Sequence, residues 1–122
     1  MKRIAGAALA LALMCGTAYA DQFAGMYSNT LTVTHADGVK STVFINADHT
    51  WEQHQQGATV RGTYVWKDAT HYCMTITDPK PPSDVDPTEC EEMTGDHKPG
   101  DTWTITDGTG LRATLSITAG RQ

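Results

Sequence analysis

The feature that most limits what this chain can fold into is a two-residue alternation of apolar and polar side chains, broken by turn residues about every 8–12 positions. Leu31 and Val33 share one parity with Tyr27 and Asn29, while Thr30, Thr32 and Thr34 hold the other. Side chains on a strand point alternately to its two faces, so this spacing predicts a strand with one apolar face and one threonine-lined face. Ala36-Asp37-Gly38 ends it with a hairpin signal. Val39 to Asn46 reads as a second strand and, after Ala47-Asp48-His49, Thr50 to Gln55 as a third. From Ala58 to Lys67, the residues Val60, Gly62, Tyr64 and Trp66 fall on one face and Thr59, Arg61 and Thr63 on the other. Thr70 to Thr77 repeats the pattern, with Tyr72, Met74 and Ile76 opposite His71, Cys73 and Thr75. Asp101 to Thr106 turns Trp103 and Ile105 inward. After Asp107-Gly108-Thr109-Gly110, Leu111 to Thr118 does the same with Leu111, Ala113, Leu115 and Ile117. Past the N-terminal segment no helical-period stripe competes with this alternation. The prediction is an all-β domain, an antiparallel up-and-down barrel or sandwich of about 7–8 short strands.

One stretch does not alternate. Residues 78–100 open with Pro79-Lys80-Pro81-Pro82, which cannot supply a central strand's hydrogen bonds. They also carry Asp84, Asp86, Glu89, Glu91 and Glu92, so the segment is expected to be an acidic loop. Loops this long in compact domains are commonly functional. These five carboxylates are therefore candidate contacts with a basic surface on a protein partner. They lack the ordered ligand alternation of a calcium loop.

The N-terminal segment follows a different rule. Met1-Lys2-Arg3 is basic, Ile4 to Met14 is an Ala- and Leu-rich run, and Ala18-Tyr19-Ala20 is a small-x-small site before Asp21. That is the layout of a secretory signal peptide over 1–20, followed by a single domain over 21–122. The run is shorter than the roughly 20 apolar residues a membrane span needs. Cys15 follows Leu13 and Met14, not the small residues of a lipoprotein site. The processed chain is thus expected in the periplasm or the medium, with no membrane span, as a monomer. In an oxidising compartment Cys73 and Cys90 are expected to form a disulfide. Closing that loop of about 18 residues contributes about 3 kcal/mol in the chain-entropy account. With Lys2 and Arg3 removed, 7 basic residues face 14 acidic ones. Nucleic acid and anionic membranes both require a Lys/Arg footprint that this composition does not offer.

Phe44-Ile45-Asn46-Ala47-Asp48-His49-Thr50-Trp51, followed by Gly57 and Arg61-Gly62-Thr63-Tyr64-Val65-Trp66, resembles a hairpin of small exported lipocalin-like bacterial domains. The resemblance covers about a quarter of the processed chain. It implies a compact β-barrel or half-barrel in which Asp and Thr shape a tight turn and the aromatics fill a barrel end. Some domains of that kind bind small apolar ligands and others inhibit proteases. The matched residues are turn and core residues, so the resemblance implies a fold and carries no activity. His49 stands where Gly is common in that hairpin.

Three functions remain open on the sequence. The first is a non-enzymatic binding module for a small apolar ligand or a protein partner, with Trp51, Tyr64, Trp66 and Trp103 as candidates to line a cavity. The second is a periplasmic metal binder. His49, Glu52 and His54 bring nitrogen and oxygen donors that suit Zn²⁺ or Cu²⁺. Glu52 and His54 also read simply as the wet face of a hairpin opposite Trp51, and no cofactor is expected. The third is a small secreted hydrolase or lyase. No serine sits in a G-x-S-x-G elbow and no carboxylate pair stands out, so no catalytic residue is assigned and an enzyme is the weaker expectation.

Overall fold

A computed structural model of the protein describes residues 21–93, 95–106 and 109–121, and the expected leader lies outside them. Eight strands follow one another: β1 (Thr30–Thr34), β2 (Lys40–Ile45), β3 (Thr50–Gln55), β4 (Ala58–Trp66), β5 (His71–Asp78), β6 (Thr88–Glu92), β7 (Thr102–Thr106) and β8 (Arg112–Thr118). A short 3-10 turn at Ala24–Met26 precedes them. All lie in one antiparallel sheet in the order β6-β5-β4-β3-β2-β1-β8-β7. The first six strands are a plain meander. The β7–β8 hairpin then returns to the free edge of β1, with Leu31 opposite Ile117 and Val33 opposite Leu115. The sheet curls into a half-barrel, and its two end strands, β6 and β7, leave a seam between them.

The expectation of an uninterrupted loop over 78–100 is corrected by β6. Thr88–Glu92 pairs with β5, placing Cys90 opposite Cys73, and the two cysteines form a disulfide. Five residues, three of them carboxylates, are too few and too polar for the alternation to stand out in the sequence. Pro79, Pro81, Pro82 and Pro87 lie in the β5–β6 connection and Pro99 in the β6–β7 connection, where no ladder bond is lost.

Four connections use one device. Asp37, Asp48, Asp68 and Asp86 each accept the backbone N–H two residues on, from Val39 (3.0 Å), Thr50 (3.1 Å), Thr70 (2.9 Å) and Thr88 (3.0 Å). The short carboxylate mimics a backbone turn and sets the start of the next strand. Between β3 and β4, Gln56 and Gly57 have φ of 50° and 83°, the two left-handed residues of a primed hairpin that matches strand twist.

The predicted inward parity holds for Leu31, Trp51, Tyr64, Tyr72, Ala113, Leu115 and Ile117, all buried, and on β2, apolar on both parities in the sequence, it is Val43 and Ile45 that are buried. Leu111 does not join them. It precedes the first paired residue of β8 and is 56% exposed. At one end of the barrel the chain before β1 forms a plug. Phe23 and Met26 are each 1% exposed. The Phe23 ring lies 5.0 Å from Tyr64, 4.7 Å from Trp66 and 4.9 Å from Tyr72. Each such aromatic pair adds about 0.5–1.5 kcal/mol beyond area burial. Gly62 faces Trp51 across β3 and β4. A Cβ there would meet the Thr75 carbonyl at 1.9 Å and the Trp51 indole at 2.6 Å, so only glycine lets the indole lie across β4.

Candidate functional site

Side-chain size along the barrel decides where the interior is full. Toward the plug the inward residues are Phe23, Tyr64, Trp66 and Tyr72, which fill the bore. Toward the opposite end they are Val33, Val43, Val60 and Ala113, which do not. The result is a cavity of about 430 Å³, open to solvent, within the usual range of about 300–1,000 Å³ for small-molecule sites. Phe23, Tyr72 and Met93 line its deep end, and Ile45, Trp51 and Met74 its walls. His35, Gln53, Asp86 and Thr109 line it from the strand ends and turns away from the plug. His35 Nε2 lies 3.1 Å from Ser41 Oγ, and Ser41 Oγ donates to Gln55 Oε1.

The four aromatics expected around a cavity divide. Trp51 lines it, with its Nε1–H donating to the Thr63 carbonyl at 2.9 Å. Tyr64, Trp66 and Trp103 lie toward the plug. Tyr64 donates to the Asn46 carbonyl at 2.8 Å and packs edge-on against Phe23. Trp66 packs on Phe23 and Tyr72. Trp103 is stacked by His97 at 3.6 Å. Alternation reports which face a side chain takes; it does not report its height along the bore.

The acidic residues also divide. Because Cys90 pairs with outward-facing Cys73, its neighbours Glu89 and Glu91 turn inward, opposite Met74 and Tyr72, and line the cavity. Tyr72 donates to Glu91 Oε1 at 2.9 Å. Burial, then the charge of Glu91 and the hydrogen bond to it, push the Tyr72 phenol far above its ordinary range, and Glu89 adds to this. Tyr72 therefore stays a donor at any working pH. Asp86 lines the cavity while accepting the Thr88 N–H. Asp84 and Glu92 are exposed and do not line it. The signal for the inward glutamates is present in Cys90: if it bridges to an outward strand position, the residues on either side of it face in.

His49, Glu52 and His54 are not brought together. His54 Nε2 lies 2.5 Å from Glu52 Oε2, and Arg61 Nε donates to Glu52 Oε1 at 2.8 Å. The hydrogen bonds from His54 and then Arg61 hold the Glu52 carboxyl below its usual range. His49 instead takes a left-handed φ of 72° in the β2–β3 turn and stacks on Tyr64, ring centroids 4.7 Å apart. Its Nδ1 lies 3.2 Å from the Tyr64 carbonyl. These contacts accompany a backbone conformation usually left to Gly or Asn. Among the described residues no group of three His, Cys, Asp or Glu side chains is placed to hold a metal ion.

The outer face of β3 and β4 carries one further arrangement. Thr59 Oγ1 lies 3.0 Å from His54 Nδ1, and His54 in turn meets Glu52. A hydroxyl, an imidazole and a carboxylate in series are the parts of an activated nucleophile. Here they span the face of the sheet opposite the cavity, where the hydrogen bonds and the Arg61–Glu52 ion pair act as cross-strand links.

Comparison with protein-family models, with curated proteins and with solved structures gave no match for this chain. Among the described residues no helix is long and apolar enough to cross a membrane.

Proposed function

We propose that this chain is an exported, non-enzymatic binding protein that takes a small apolar ligand into the open end of its half-barrel. The observation that carries this reading is the cavity of about 430 Å³ between the Phe23 plug and the turns at the other end. A concave, mostly apolar hollow with a few polar groups at its mouth is the usual form of a small-molecule site. The disulfide between Cys73 and Cys90 fits an oxidising compartment, in line with release into the periplasm or the medium.

A neutral, environment-sensitive naphthylamine dye tests this. Titrated into the protein, it should brighten on entering the cavity, with quenching of Trp51. Val33→Trp, which places an indole in the cavity, should abolish the brightening and leave the folded circular-dichroism spectrum intact. Equal dye binding by the Val33→Trp variant would place the dye elsewhere and end the proposal.

A further inference from the structure

The cavity is apolar on most of its wall, yet its formal charges are of one sign. Among the described residues lining it, Asp86, Glu89 and Glu91 are the carboxylates, and there is no lysine or arginine. Its one basic side chain, His35, is engaged with Ser41. The inward aim of Glu89 and Glu91 is fixed by covalent structure, since the disulfide holds β6 in the register that turns Cys90 outward. Glu91 is further held by the Tyr72 hydroxyl. Glu89 has no hydrogen-bond or ion-pair partner among the described residues, and it alternates with Glu91 on the same face of one short strand. Glu89 is exposed and Glu91 half-buried, so their negative charge sits at the solvent edge of the apolar wall, within reach of a ligand's charged head. Phe23, Trp51 and Tyr72 line the same cavity, and aromatic faces beside carboxylates are the surroundings in which ammonium groups bind well.

Resting on the cavity reading above, we infer that the ligand is a cationic amphiphile, an apolar tail ending in an amine or quaternary ammonium group. The tail lies against Ile45, Trp51 and Leu115, and the charged head meets Glu89 and Glu91 at the β6 wall. The acidic balance of the whole chain, with 14 Asp and Glu against 9 Lys and Arg, adds long-range attraction for the same charge.

The test is calorimetric titration with three ligands of one tail length, octyltrimethylammonium, octanol and octanoate, each below its micellar concentration. The cation should bind about tenfold or more tighter than the alcohol at low salt, with the margin shrinking as salt rises. Octanoate should bind weakest. Glu89→Gln with Glu91→Gln should bring the cation down to the affinity of the alcohol while leaving the alcohol within about twofold. The amide that replaces the Glu91 carboxylate still offers the Tyr72 hydroxyl an acceptor, so the double variant keeps its internal hydrogen bond. Glu92→Gln, on the outward face of the same strand, should leave the preference unchanged. Equal binding of cation and alcohol, a preference that survives the double variant, or tighter octanoate would each overturn the inference while leaving an apolar site standing. Failure of all three ligands to bind would remove the cavity reading itself.

Discussion

The two ends of the half-barrel are built from the same eight strands with the same inward parity, yet one is packed and the other hollow. At the packed end Phe23 and Met26 close the bore among Tyr64, Trp66 and Tyr72. Gly25 permits the plug to meet the β6–β7 connection, since a Cβ there would lie 1.8 Å from the His97 carbonyl. At the hollow end the inward positions of the same strands include Val33, Val43 and Val60, and the cavity opens among them. The difference teaches that the alternation defines an inside without filling it. Filling is supplied from outside the sheet, by a short irregular segment at one end and, in the reading proposed above, by a ligand at the other.

The largest expected effect tests the packed end. Phe23→Ala should lower stability by about 3–5 kcal/mol, read from chemical denaturation, because the plug cannot collapse into the space left. Next, Cys73→Ser with Cys90→Ser should cost about 3 kcal/mol by the same measurement. It should also weaken cation preference, because β6 then loses the tie that aims Glu89 and Glu91 inward. Met74→Ala, on the cavity wall, should cost only about 1 kcal/mol, since a half-buried side chain facing an existing hollow removes little packed surface. If Met74→Ala matched Phe23→Ala, the contrast between the ends would fail.

The smallest effect is electrostatic and again separates the ends. Asp68, in the β4–β5 turn beside the plug, is held at a pKa of about 2, against an ordinary 3.8, by the backbone N–H of Thr70 and then by His71. Asp48 is lowered by Thr50, and Asp101 by the Lys98 backbone N–H. A carboxyl whose pKa is depressed by folding stabilises the protein above its ordinary pKa and loses that contribution as the pH falls through its folded value. Melting temperature should therefore drop as pH falls from about 4 to about 2, and Asp68→Asn should flatten part of that drop. An unchanged slope in Asp68→Asn would show that the turn carboxylate does not couple to folding.

Much of the fold is legible in the sequence because its signals are local. The Asp-x-Thr turns at Asp48 and Asp68, the Gln56-Gly57 hairpin and the parity of Val60, Gly62, Tyr64 and Trp66 can be read within a few residues of each other. The plug is not legible, since Phe23 and Met26 follow no period and their partners lie some forty or more positions away, as Gln22 bonding to Ala69 across 47 residues illustrates. Trp51 lines the cavity, whereas Trp66 and Trp103 share its inward parity but stand at a height along the bore that gives them to packing. Glu89 and Glu91 read as loop carboxylates in the sequence because their strand is visible only once the Cys73–Cys90 bridge is laid beside β5.

The return of β8 to β1 sets an order for folding. Strands β1 to β6 find partners one after another as the chain lengthens, but the second edge of β1 waits for the C-terminal hairpin. Thr30 donates to the Gly120 carbonyl across 90 residues, so this last seam joins nearly the two extremes of the described chain. Contacts of that separation are the slow ones to form. A chain threaded through a membrane from its N-terminus would thus emerge with β1 half-paired and complete its sheet only when the final strand arrived.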